Sequence, residues 1–527
     1  MGEKMRKIYF NGDFITLEKE TVEAILIDNG IIKKVGTKEE ILNCKDENTE
    51  LIDLNRKTMM PAFIDSHSHF FAVANNLHQV SLNDCTDHIK IQEKLKKYKI
   101  DNNIGKDKWI IANGYDNNNF KDTKHITKKE IDEILPDNPV VIHHQSGHSG
   151  ILNSKALEII GINEKTPDPA GGRIGKDKNE LNGYLEENAF IENIKKIPMP
   201  TLDELIENAN KAQLKYASYG ITTVQEGCLV KELISIYDKL IKCNKIFLDI
   251  IAYIDLNSEK EIKEKLGYSI GKYEKGFKIA GYKIFLDGSP QARTAWMRTP
   301  YIDDNNYYGY GLMDDILVKK AICKAIDDNL QIIAHCNGDK AAEQFIMSIK
   351  NVGKLLAKKR PVLIHGQLLG IDQLKDIKEL GIIPSFFISH IYYWGDVHVK
   401  NFGIERAKQI SPAKSSIKEN ILFTLHQDSP VIEPNMFETI WCAVNRKTKK
   451  GEILGAKERI EVIDVIKAVT INAAYQYFEE DKKGSIKEGK IADLIIVSRN
   501  PLKIDKDDIK YIEVLETIKN GKTIYKV

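Results

Sequence analysis

Missing from this sequence are an apolar run long enough to cross a bilayer, a paired-cysteine motif and an excess of charge of either sign. A membrane-spanning helix needs roughly 20 consecutive apolar residues, so a membrane protein of that kind is not expected. The first residues, Met-Gly-Glu-Lys-Met-Arg-Lys, lead straight into a strand-like Ile-Tyr-Phe with no apolar leader, and the expected location is the cytoplasm. Seven cysteines, an odd number with no CxxC, fit reduced thiols better than a disulfide framework. Lys+Arg 77 against Asp+Glu 76 leaves a formal net charge of +1. No global field is available to hold nucleic acid or an anionic membrane, and neither is expected as a partner. The glycine-rich phosphate loop of a dinucleotide-binding sheet is also absent after the early strands.

What is present is apolar material for a large core: 527 residues, 42% hydrophobic and 29% charged. That length holds several folding units unless a barrel takes a large share. The two ends are alike. Residues 7–54 read as short alternating strands with Asn11-Gly12 and Asn29-Gly30 as hairpin turns, and the stretch from Gly484 reads the same way, with Asn520-Gly521 as a turn. Each end alone is too thin to bury a core. One small β-sandwich assembled from residues 1–60 and 480–527 is the expected arrangement.

Between them, from 61 to 479, apolar runs alternate with amphipathic stretches. The runs are Ile221–Gln225, Phe247–Ile254, Tyr282–Leu286, Gln331–Ala334, Val362–Ile364, Ile382–Ser385 and Ile421–Thr424. With the apolar segment before His67 they make eight, which predicts an α/β (β/α)8 barrel of TIM type; an open doubly wound sheet is the runner-up. The connection after the first strand is far too long for one unit. Residues 75–200 carry their own strands and a helix and are expected to form an inserted subdomain capping the barrel mouth.

The chemistry gathers at the expected C-terminal strand ends, where barrel enzymes place catalysis. Strand one runs through Pro-Ala-Phe-Ile-Asp-Ser-His-Ser-His, ending at His67 and His69, which alternation puts on one face. Such a pair can share a metal ion or merely pack at a strand end. Lys283 stands in strand four, His335 ends strand five, His365 ends strand six, and Asp428 follows strand eight. Matching positions at successive strand ends favour a metal centre over separate buried histidines. A lysine ammonium beside a dication would be repelled, but reaction with CO2 makes a carbamate, an anion able to bridge two metals. His143, His144, His398 and His426 have weaker claims, and Asp493 reads as structural.

An ordered set of motifs resembles the amidohydrolase superfamily, specifically amidohydrolase family 3, the branch with N-substituted formamide deformylases. Besides the His67–His69 run, it includes Gly114-Tyr115-Asp116, the Ser-Gly-His-Ser-Gly run around His148, and Thr-Pro-Asp-Pro-Ala-Gly-Gly through Gly172. It continues with Lys-Ile-Phe-Leu-Asp-Gly-Ser-Pro-Gln-Ala-Arg-Thr-Ala-Trp through Trp296, His-Cys-Asn-Gly-Asp through Asp339, and Asp428-Ser429-Pro430-Val431. The resemblance implies two divalent metal ions, with Zn2+ suiting the donors. His67 and His69 would serve one, His335 and His365 the other, with Lys283 bridging as a CO2-derived carbamate and Asp428 as ligand and proton shuttle. His148 and His390 would contact substrate or a developing oxyanion. Tyr115, His148, Gln291, Arg293 and Trp296 would shape the pocket. Ala62 stands where the family usually has Gly, and Cys336-Asn337 replace its common Ala-Ile; these departures are expected to bear on substrate fit.

The expected activity is hydrolysis of a non-peptide C–N bond in a small-molecule amide by metal-activated hydroxide; a homodimer is compatible with this reading. The rivals are a mononuclear deaminase of the same superfamily and a non-catalytic scaffold on the same fold. The deaminase chemistry wants a glutamate close after the strand-six histidine, where this chain has Gly366, Gln367 and Leu368. A scaffold would have lost ligands, and none is missing.

Overall fold

In the computed structural model, the structure describes residues 6–18, 21–77, 79–117, 120–144, 149–197, 200–304 and 306–527. Eight central strands form one sheet: β1 (Phe63–Ile64), β2 (Ile221–Leu229), β3 (Asp249–Asp255), β4 (Phe277–Phe285), β5 (Gln331–Cys336), β6 (Val362–His365), β7 (Ile383–Phe386) and β8 (Thr424–Leu425). Each pairs in parallel with the next in chain order, as successive right-handed βα units dictate. The strands read as continuous apolar runs because helices cover the outer face while Ile64, Ile251, Tyr253, Ile333, Val362, Ile364 and Ile383 pack together as core. This is the expected (β/α)8 barrel.

The end strands β1 and β8 have two residues each, and the circle is closed by the chain just beyond them. Ser66 Oγ donates to Leu425 O at 3.0 Å, Asp428 N to His67 O at 3.3 Å, and His69 N to Ser429 O at 2.8 Å. Closure therefore lays the segment of His67 and His69 beside that of Asp428.

The apolar stretch expected to be a single first strand is divided. Thr58–Pro61 pairs antiparallel with Leu494–Val497 in a sheet of the terminal sandwich, and only Phe63–Ile64 enters the barrel. Both halves are buried, which is why the pattern reads as one strand. His67 and His69 consequently stand beyond the end of β1 rather than on it. The sandwich itself has a four-stranded sheet from the N-terminal segment and a five-stranded sheet with strands from both ends. Tyr9, Ile25, Ile27 and Met59 pack in one cluster with Ile486, Leu494, Ile496 and Ile518, so the two termini share a core.

Residues Val73–Lys211 form a second compact unit. Its six-stranded sheet feeds two clusters. Along Val140–His144, Val140 and Ile142 face one and Val141 the other, the alternation a strand imposes. No helix among the described residues is long and apolar enough to cross a membrane.

At the N-terminal ends of the barrel strands lies a buried ion network. Lys483 bonds Asp249 at 2.5 Å and Glu479 at 2.7 Å, Lys519 bonds Asp249 and Asp493 at 2.7 Å each, and Lys278 pairs with Glu479. Asp249 opens β3 and Lys278 lies near the start of β4, while Asp493 and Lys519 belong to the sandwich. The network thus fastens barrel to sandwich. Burial alone would raise the Asp249 carboxyl, but Lys483 and Lys519 hold it well below the usual carboxylate range. Burial would lower the Lys483 ammonium, but Asp249 and Glu479 push it above the usual lysine range. A depressed acid stabilises above its unfolded pKa, and an elevated base below its own. The network therefore contributes fully between about pH 4 and pH 10; its contribution falls in acid as Asp249 protonates and in strong alkali as Lys483 deprotonates. Asp249→Asn, which leaves two buried ammonium groups short of a carboxylate, is expected to lower stability by about 3–5 kcal/mol, read from the denaturant midpoint near pH 7.

Candidate metal centre

His67 is fully buried, and its orientation is set from β2. Gln225 Oε1 lies 2.6 Å from His67 Nδ1, while Gln225 Nε2 donates to Ser66 O and to Tyr477 Oη, each at 2.9 Å. Tyr477 Oη gives its own proton to Asp65 O at 2.8 Å, so it must accept from the Gln225 amide. The amide oxygen therefore faces His67, Nδ1 carries the proton, and Nε2 presents a lone pair. Burial, followed by the Lys283 charge, holds the His67 imidazole well below its ordinary pKa and hence neutral.

Two groups face that lone pair, and one of them also meets His69. Asp428 Oδ1 is 3.4 Å from both His67 Nε2 and His69 Nε2, and Lys283 Nζ is 3.4 Å from His67 Nε2. Asp428 Oδ1 is buried and has no hydrogen-bond partner among the described residues. A short distance away His365 Nε2 stands 3.1 Å from His335 Nδ1 and 3.9 Å from Asp428 Oδ2. His335 directs its other nitrogen, Nε2, to Gly288 O at 3.3 Å. Burial, then Lys283, lowers His335 to about 4, and burial, then His335, lowers His365 well below its ordinary range. Lys283 is 1% exposed, and burial lowers its ammonium to about 8. His365 and Asp428 both have left-handed backbone, φ 75° and 55°, a cost of about 1–3 kcal/mol each for such residues.

These donors fit a divalent cation. Tetrahedral bonds of about 2.0–2.1 Å put neighbouring donors about 3.3–3.4 Å apart, close to the separations here. One donor atom each from His67, His365 and Asp428 lie within 4.8 Å of one another. Buried imidazole nitrogens facing each other beside a buried carboxylate are an arrangement that a cation stabilises.

The amidohydrolase family model matches residues 50–525. The chain belongs to the amidohydrolase family. It is 28% identical to the putative amidohydrolase YtcJ of Bacillus subtilis over 99% of each chain. It is 23% identical to the N-substituted formamide deformylase of Arthrobacter pascens, over 95% of this chain and 94% of that one. The crystal structure of an uncharacterized metal-dependent hydrolase from Pyrococcus furiosus superposes with a TM-score of 0.76 at 26% identity, covering 94% of this chain and 100% of that one. This amidohydrolase is a metal-dependent hydrolase.

In this amidohydrolase the structure brings together six residues singled out from the sequence: His67, His69, Lys283, His335, His365 and Asp428. His390 is buried at the start of the helix His390–Ala407, its Nδ1 3.1 Å from His398 Nε2. The Phe387 ring contacts both His390, at 4.6 Å between centroids, and His426, at 5.5 Å. His148 lies outside the described residues.

The expected pocket residues fare differently. Tyr115 is 1% exposed in the core of its own unit, with its hydroxyl 2.9 Å from His125 Nδ1. Trp296 lines a cleft of about 500 Å³ with Ile316, Lys340 and Met347 on the helix layer, rather than standing among the metal-site donors. Arg293 lays its guanidinium over the Tyr301 ring at 5.1 Å, which ties it into its own loop. Gln291 keeps a buried Oε1 without a partner among the described residues. Asn337, expected to tune substrate fit, donates to Gly288 O at 2.8 Å, the carbonyl that His335 also uses; it supports the ligand.

Sequence reading passed over Gln225, Asp287 and the importance of His426. Asp287 is buried, and accepts from Asn337 N at 2.9 Å, Gly338 N at 2.7 Å and Trp296 N at 2.9 Å, pinning the loops after β4 and β5 together. Its only signal was its place just after Lys283. Gln225 had none, since a glutamine within an apolar run resembles a tolerated polar residue.

Metal binding requires deprotonated ligands. With His335 lowered to about 4, protons compete for it only well below the ordinary histidine range. Metal is therefore expected to stay bound from pH 7 down to about 5 and to leave at lower pH, measured as metal content after dialysis across that range.

Proposed function

We propose that this amidohydrolase cleaves a non-peptide C–N bond in a small-molecule amide, using two divalent metal ions. The observation that carries the reading is the cluster of imidazoles around the buried Asp428 carboxylate, with the buried Lys283 amine beside His67. Similarity to an N-substituted formamide deformylase supports the C–N bond. Zinc suits a donor set of imidazoles and oxygen anions.

His67, His69 and Asp428 would hold one ion, and His335 and His365 the other. Bound metal supplies Lewis-acid polarisation of the carbonyl and acidifies the attacking water. Lys283, lowered to about 8 by burial, has its amine neutral often enough to add CO2 and become an anionic bridge. Asp428 would take the proton of the attacking water and return it to the departing amine, so that amide plus water gives acid plus amine. The deaminase alternative has less support. Gln367, in the region where that chemistry wants a glutamate, donates to Phe387 O at 2.8 Å and accepts from Ser411 Oγ at 3.0 Å, a structural engagement on both sides of its amide.

The test is a hydrolysis screen of zinc-loaded protein, supplied with bicarbonate, against N-formyl and N-acyl amines, cyclic amides and esters. Release of amine from an amide is expected. Turnover of esters alone, or a metal content that stays near one ion per chain, would remove the proposal. Asp428→Asn keeps an oxygen donor but cannot shuttle a proton. It is expected to retain much of its metal while kcat falls by about 10²-fold or more, measured at saturating substrate with metal content checked.

A further inference from the structure

In the metal centre proposed above, His365 reaches the metal through Nε2. Resting on that reading, we propose that His426 is a positioning residue that fixes the tautomer of His365, and that Ser385 and Ser66 fix His426 in turn.

Hydrogen atoms can be assigned one by one along a single chain of contacts. Leu425 O can only accept, so Ser66 Oγ, 3.0 Å away, donates to it. With that proton committed, the 3.1 Å contact between Ser66 Oγ and Ser385 Oγ is donated by Ser385. Ser385 must then accept at its 2.9 Å contact with His426 Nδ1. A neutral imidazole has one N–H, so His426 Nε2 bears a lone pair. It accepts from His365 Nδ1 at 3.2 Å. His365 is left with its lone pair on Nε2. Beyond it, His335 Nε2 lies between Gly288 O at 3.3 Å and Asn337 Nδ2 at 3.0 Å, a carbonyl and an amide N–H that call for opposite tautomers.

The lone pair on His365 Nε2 lies 3.1 Å from His335 Nδ1, on the side of His365 that faces Asp428 Oδ2. If His426 could not accept, His365 would be free to carry its proton on Nε2, where it would block the metal. The four residues of the relay come from different strand ends: Ser66 after β1, His365 on β6, Ser385 on β7 and His426 after β8. His426 is fully buried, and both of its ring nitrogens are engaged within this relay.

The experiment titrates Co2+ into metal-free protein, following visible absorption and competition with a chelator. The wild type is compared with His426→Leu, His426→Gln and Ser385→Ala, each checked by thermal melting. His426→Leu removes the acceptor, and its Co2+ affinity is expected to fall about 10–100-fold, the size typical of lost support to a metal ligand. The amide of His426→Gln can accept from His365 and donate to Ser385. That variant should stay within a few-fold of wild type, with an unchanged absorption band. Ser385→Ala should weaken Co2+ in the same direction by a smaller factor, and it decides the matter if His426→Leu does not fold. Wild-type affinity in a folded His426→Leu would overturn the proposal. So would equal losses in the Leu and Gln variants, which would mean packing, or a shifted band in His426→Gln, which would make His426 a direct ligand. Failure of the wild type itself to bind Co2+ would overturn the metal site on which the proposal stands, an outcome distinct from the others.

Discussion

A carboxylate oxygen buried without a donor governs how this site is built. Asp428 Oδ1 has lost its water and gained no hydrogen bond among the described residues, a costly state for an anion. Its neighbours at 3.4 Å are the two Nε2 atoms of His67 and His69, and the Gln225 amide turns at least the first of these into a lone pair. Such a cluster is unstable as a set of side chains and sensible as a set of ligands. Its members are held by groups facing away from the centre: Gln225 behind His67, Gly288 O behind His335, and His426 behind His365.

Support and chemistry occupy opposite ends of the barrel. At the N-terminal ends, Lys278, Lys483 and Lys519 are matched by Asp249, Glu479 and Asp493, and every ammonium has a carboxylate. At the C-terminal ends, donors are left unmatched. The first arrangement joins the sandwich to the barrel; the second is completed only by something bound. His365 and Asp428, whose side chains reach the centre, both have left-handed backbone.

Most of the residues gathered at the candidate centre could be read without coordinates because a parallel barrel converts chain order into position. A polar residue ending an apolar run becomes a residue on the rim, whatever the distance along the chain. His335, His365 and Lys283 followed from that rule. His67 and His69 reach the site for a different reason than strand alternation: they lie beyond a two-residue strand, and barrel closure sets them against Asp428. Tyr115 and Trp296 show the reverse. Both sit in recognisable motifs, yet one fills a core and the other lines a cleft on the helix layer. A motif preserves a residue's neighbours in sequence, and those neighbours do not say which way its side chain points.

By itself the sequence determined the alternation of strands and helices and the types of side chain at the strand ends. Those depend on local periodicity and residue chemistry, which are written in order along the chain. The tertiary structure alone brought Gln225 to His67, and His426, Ser385 and Ser66 into one line of contacts behind His365. It also decided that six charged residues would neutralise one another beneath the barrel. The reason is physical. A hydrogen-bond direction and an ion pair depend on distances of about 3 Å between atoms hundreds of residues apart, and no periodicity in a sequence records them.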